Sequence, residues 1–169
     1  MTVLVAYASV TGGTAEIAEW IADELRATGL DAHSVPAGAV PDIAPYEAVV
    51  LGSALHMSGW HADARRFAQR FGPVLAGRPA WVFSSGPLED AGVCAAVPPC
   101  TQAVNAMRMM GTRDHATFGG RLSEEAHGWL GFVSRRMAAS GHGGDFRDPA
   151  RVRAWAREIA GAVQTAQRT

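Results

Sequence analysis

The run Val3–Ala8, VLVAYA, is apolar without a polar interruption, and it predicts a buried strand. The period then changes. Ile17, Ala18, Trp20, Ile21, Ala22 and Leu25 recur at helical spacing, with Glu16, Glu19, Asp23, Glu24 and Arg26 on the other face. Thr14 as N-cap and Gly29 as the stop bound a helix over Ala15–Thr28. Asp31–Val35 predicts a second strand, followed by a Pro/Gly-rich connection, and Glu47–Ser53 a third. His61–Ala76 reads as a helix, with Phe67, Phe71 and Leu75 four residues apart. Ala80–Ser85 predicts a fourth strand. The loop Gly86–Pro99 leads to a helix at Thr101–Met110, and His115–Phe118 predicts a fifth strand. Glu124–Ala139 and Pro149–Gln167 read as helices, the second with Asp148 as its cap and Val152, Trp155, Ile159 and Val163 as its buried stripe.

Five short strands alternating with helices imply an α/β domain, a parallel sheet covered on both faces. No internal boundary or repeat divides residues 1–169, so one domain is expected. Ligands of such sheets bind beyond the carboxyl ends of the strands. That places loops 9–14, 54–60 and 86–92 together.

The first loop, Ser9-Val10-Thr11-Gly12-Gly13-Thr14, packs three hydroxyls and two glycines between a strand and a helix. Its N–H groups converge at a helix N-terminus, where the dipole favours an anion, and glycine lets the backbone approach a phosphate closely. The alternative is an ordinary polar turn with a threonine cap. A P-loop needs a lysine, and the chain has none; G-x-G-x-x-G is also absent. What remains is a cradle of hydroxyls and amides for one terminal phosphate, with no cation in it.

Composition narrows the class. Hydrophobic residues make up 48%, charged residues 18%, and mean hydropathy is +0.02, which suits a packed domain. Net charge is −1, which gives no footprint for nucleic acid. With no apolar run near the length of a membrane span and no apparent leader, a cytoplasmic protein is expected. Cys94 and Cys100 fit neither C-x-x-C nor a metal box and read as free thiols. Residues 1–92 carry ten Asp/Glu against five Arg, and residues 93–169 six against ten. The basic C-terminal part suits an acidic partner or lipid headgroups, or is a set of solvated arginines. Residues 124–137, with Arg135 and Arg136, offer peripheral membrane contact; the alternative is a core-packed helix.

The second loop carries Ser53, Ala54, Leu55, His56, Met57 and Trp60. An aromatic beside a phosphate cradle suggests a flat, stacking ligand, with Trp60 or Met57 packing on it. A core tryptophan and an exposed loop histidine are the plainer readings. His56 is the candidate proton acceptor, because its ordinary pKa lies near neutrality. The third loop offers Ser84, Ser85, Gly86, Pro87 and Leu88, then Glu89 and Asp90. Its amides suit the edge of a polar ring; alone, it reads as a surface loop.

With these residues in place, the chain resembles the flavodoxin family. Ser9, Thr11, Gly12 and Thr14 meet that family's S/T-x-T-G-x-T signature. The resemblance implies a flavodoxin-like doubly wound five-stranded parallel sheet of order 2-1-3-4-5. It also implies FMN, with the phosphate on 9–14 and the ring held by the next two loops. A backbone carbonyl in loop 54–60 would lie near the ring's N5, and amides around Gly86 near its carbonyls. GSALHMSGWH, GWLGFVSRRM and GGDFRDPARVRAWAREIAG resemble the branch containing the menaquinone-dependent protoporphyrinogen oxidase, which carries an added helical segment, here 123–140. Residues 84–90 lack the aromatic that many flavodoxins use, and the pI of 6.6 is less acidic than a flavodoxin shuttle's. Both departures favour an FMN-dependent oxidoreductase that joins an organic substrate to a quinone or similar acceptor. An electron-transfer flavodoxin serving a partner redox protein is the second reading. A flavodoxin-fold binding module that has lost FMN is the third.

Overall fold

The computed structural model describes residues 1–56, 59–75, 77–86, 97–112, 114–121 and 145–166. Their elements alternate along the chain: β1 (Thr2–Ala8), α1 (Gly13–Ala27), β2 (Asp31–Pro36), a 3-10 turn (Ala37–Ala39), β3 (Ala48–His56), β4 (Gly59–Trp60) and α2 (Ala62–Leu75). Then follow β5 (Ala80–Ser85), α3 (Thr101–Met110), β6 (His115–Phe118) and α4 (Pro149–Ala166).

The parallel strands lie in the order β2-β1-β3-β5-β6, with β4 paired to β3 outside that path. Counting the long strands alone, this is the expected 2-1-3-4-5 order. The register is continuous: Val3 pairs with Ala48, Val49 with Ala80, and Val82 with His115.

Alternate strand residues point to opposite faces, yet both faces here are buried, which is why the strands read as unbroken apolar runs. Val3, Val5, Ala48, Val50, Trp81 and Phe83 join one core with α1 and α4. Leu4, Ala6, Val49, Leu51 and Val82 join the other with α2 and α3. Phe83, Phe118 and Trp155 close the first core with ring centroids 5.6–6.1 Å apart at tilted and edge-on angles, the arrangement aromatic quadrupoles favour.

Helix ends follow local chemistry. Gly29, at φ 88°, lets Leu30 N–H reach back to Leu25 C=O and stops α1 as expected. Asp148 caps α4 as expected, its Oδ1 accepting from Ala150 and Arg151 N–H at 3.0 and 3.1 Å. Among the described residues no helix is long and apolar enough to cross a membrane. The expected helix 124–139, with its membrane contact at 124–137, and Cys94 lie outside the described residues. Cys100 is a free thiol, as read from the spacing.

Candidate functional site

Three carboxyl ends of the sheet meet at one edge. The first is the turn after β1. Ser9 Oγ accepts the Gly12 N–H at 3.0 Å, which draws the turn closed. Gly12 is the N-cap of α1 at φ 85°, a left-handed conformation that side chains disfavour. This corrects the expectation that Thr14 caps the helix. The left-handed residue turns the chain early, α1 starts at Gly13, and Thr14 is inside the first turn and buried. No side chain caps α1, and the first-turn amides of Gly13, Thr14 and Ala15 have no acceptor within the helix. Ser9 and Thr11 are half-buried beside them, and Val10 is exposed at the rim. A concave turn of amides and hydroxyls at a positive dipole end fits a terminal phosphate.

The second end differs from expectation. Residues 54–56 are strand rather than loop. β3 runs on to His56, and Leu55 pairs antiparallel with Trp60 across a tight hairpin. Ser53 is fully buried; its hydroxyl accepts the His61 N–H at 2.9 Å and donates to Ala54 C=O. Trp60 is a core residue, only 4% exposed, and its Nε1–H donates to Ser84 Oγ at 2.9 Å. An indole so enclosed has little face left for a stacking ligand. Ala54 and Leu55 are half-buried and remain at the surface of the site. Met57 and the side chain of His56 lie outside the described residues.

At the third end, Ser84 and Ser85 close β5 and are buried. Ser84 Oγ also shares a 2.9 Å hydrogen bond with His115 Nε2. Burial lowers the His115 pKa from 6.5 to about 4, so the ring is neutral near pH 7. The chain Trp60–Ser84–His115 ties the hairpin to β5 and β6. Gly86 is half-buried and lies against Leu55; Pro87 and Leu88 lie outside the described residues.

A fourth segment, which the loop pattern did not indicate, completes the edge. From the end of β6 the chain runs through Gly119 and Gly120 to Arg121. A Cβ on Gly120 would come within 2.7 Å of Gly86 Cα, so only glycine allows this approach. Arg121 lies against Gly12 and Gly13 and pairs with Glu16 at 3.0 Å. The expectation of a cradle without a cation is therefore corrected: the sheet topology returns an arginine to it from the far edge. Arg147 backs the same place. It is 4% exposed, stacks over Trp20, and bonds Asp145 through Nε and Nη2 and Glu16 through Nη1. These carboxylates raise the Arg147 pKa, and the guanidinium hydrogen bond holds Asp145 below the usual carboxylate range. Sequence reading missed this group because its partners are far apart in the chain. The one local signal was Asp-x-Arg just before the Asp148 cap.

Comparison with known proteins agrees with this fold. The family described as Flavodoxin domain matches residues 4–144. No curated protein matches the chain. Among solved structures, a flavodoxin from the domain Archaea is similar at TM-score 0.64 and 16% identity, covering 97% of this chain and 99% of its own. Oxidised Flavodoxin 1 from Bacillus cereus is similar at TM-score 0.62 and 18% identity, covering 95% of this chain and 98% of its own. Rubredoxin oxygen:oxidoreductase from the anaerobe Desulfovibrio gigas reaches TM-score 0.64 at 17% identity, covering 97% of this chain and 36% of that larger one.

Proposed function

The chain belongs to the flavodoxin-domain family, whose cofactor is FMN, and on that premise we propose that it is an oxidoreductase passing electrons between an organic substrate and a quinone or similar acceptor. The observation that carries the reading is the turn at Ser9–Thr14, a cradle of amides and hydroxyls at the mouth of three converging strand ends. Bound FMN supplies the redox chemistry; the chain binds, orients and shields it. Ser9, Thr11, Gly12, Gly13 and Thr14 hold the phosphate. The ring rests between 53–60 and 84–88, where Ala54, Leu55 and Gly86 offer backbone and aliphatic surface. His56, at the end of β3, is the proton acceptor when an organic substrate is oxidised.

Two features support an enzyme over a carrier. Residues 84–90 hold no aromatic to cover the ring, and a pI of 6.6 lacks the strong acidity of a docking shuttle. The first leaves a ring face for a flat substrate, and the second leaves the chain without a shuttle's acidic docking surface. The motifs GSALHMSGWH and GGDFRDPARVRAWAREIAG support a place in the branch with the menaquinone-dependent protoporphyrinogen oxidase, which makes porphyrinogens the substrates to try first. The test is stepwise reduction of the FMN-loaded protein, then turnover with porphyrinogens and quinones. One two-electron step with turnover supports the enzyme. Two separated one-electron steps without turnover support a carrier for a redox partner. A protein that takes up no FMN would be a binding module.

A further inference from the structure

Two arginines flank the phosphate cradle, and their bonding differs. Arg147 is enclosed and paired on both edges of its guanidinium: Asp145 takes Nε and Nη2, and Glu16 takes Nη1. It is a structural cation. Arg121 is a third exposed, and among the described residues its one ion pair is that of Nη1 with Glu16. Its Nε is buried and has no hydrogen-bond partner among the described residues. A buried, unpaired N–H on a charged group is costly, which marks this guanidinium as one with bonding capacity left over beyond Glu16.

The position of Arg121 says which ligand. Its Nη2 lies 3.9 Å from where a Cβ of Gly12 would stand, and its Cβ lies 3.5 Å from that of Gly13. It therefore stands at the first turn of α1, where the helix dipole already favours an anion. Its backbone is fixed there by the Arg121–Asp145 bridge and by the Phe146 N–H donating to Gly120 C=O at 3.0 Å. Glu16 would repel an anion at this turn, but both arginines pair with it, at 3.0 and 2.6 Å.

Resting on the reading of 9–14 as the phosphate site, we propose that the Arg121 guanidinium, whose Nη2 lies beside Gly12, donates to the phosphate of the bound flavin nucleotide and makes the site selective for FMN over riboflavin. The cradle then differs from one built of amides and hydroxyls alone: its affinity contains a charge-assisted hydrogen bond that responds to salt.

The experiment is fluorescence titration of wild type, Arg121→Gln and Arg121→Lys with FMN and with riboflavin. Each is measured at low salt and at about tenfold higher salt. A lost hydrogen bond to a charged group predicts FMN affinity weaker by roughly tenfold or more in Arg121→Gln. Riboflavin affinity stays unchanged, Arg121→Lys falls between, and the salt dependence of FMN binding shrinks in Arg121→Gln. Equal FMN affinity in wild type and Arg121→Gln overturns the proposal, as does equal weakening of both flavins. Should Arg121→Gln fail to fold, Arg121→Lys decides: weaker FMN binding with riboflavin binding unchanged supports the proposal, and wild-type FMN affinity or equal weakening of both flavins overturns it. A wild type that binds FMN no better than riboflavin overturns the phosphate reading of 9–14 as well, which separates the two failures.

Discussion

Replacing Ser84 by alanine removes the hydroxyl that joins Trp60 to His115. In the folded protein Trp60 Nε1–H donates to Ser84 Oγ at 2.9 Å, with Trp60 4% and Ser84 1% exposed. The alanine variant keeps the backbone and leaves the indole N–H buried without an acceptor. An orphaned buried donor costs about 1–3 kcal/mol. His115 Nε2 loses the same partner with or without the indole, so its share drops out of the comparison between backgrounds. For a chain of this size each kcal/mol lowers the melting temperature by about 2–4 °C, so a loss of about 2 kcal/mol predicts a drop of about 4–8 °C. The assay is a double-mutant cycle by urea unfolding with Trp60→Phe, which fills most of the same volume and has no N–H. In that background Ser84→Ala should cost about 1–3 kcal/mol less, because there is no donor to strand. Equal cost in both backgrounds would mean that Ser84 acts by packing alone, and the network account would be wrong.

Three further outcomes are expected. Gly12→Val forces a branched side chain into φ 85° and should cost about 1–2 kcal/mol by thermal melting, with FMN binding weakened more than folding. Asp148→Ala strips the cap from the Ala150 and Arg151 amides and should cost about 0.5–2 kcal/mol in urea, whereas Asp148→Asn should restore most of it. His115 titrates at about 4 when folded and 6.5 when unfolded, so the unfolded chain binds more protons between those values. Its contribution is therefore full above about pH 6.5 and is lost as pH falls toward about 4; His115→Gln should flatten that part of the stability–pH curve.

Much of the fold was legible because both faces of a covered parallel sheet are apolar and each strand is short. Ala80–Ser85, Thr101–Met110 and His115–Phe118 appear with the expected boundaries. The start of α1 was misread because a threonine in a hydroxyl-rich turn looks like a cap, while the left-handed Gly12 begins the helix earlier. The end of β3 was misread because Ala54 is held by pairing with Ser85 and Leu55 and His56 by pairing with β4, which periodicity over four or five residues does not reveal. Trp60 shows the same limit. Its type and place suit a stacking role, but a buried serine on another strand claims its N–H. The strand-to-helix turn at Ser9–Thr14 was legible because its residues are local in the chain. Arg121 was not, because it reaches Gly12 and Gly13 only through the crossing allowed by Gly120.

We propose the turn at Ser9–Thr14 as the phosphate cradle of a flavin site. Its most direct test is equilibrium titration of the wild-type protein with FMN and with riboflavin, followed by absorbance and fluorescence quenching. One FMN per chain is expected, bound much more tightly than riboflavin. Equal affinity for the two flavins, or binding of neither, would contradict it.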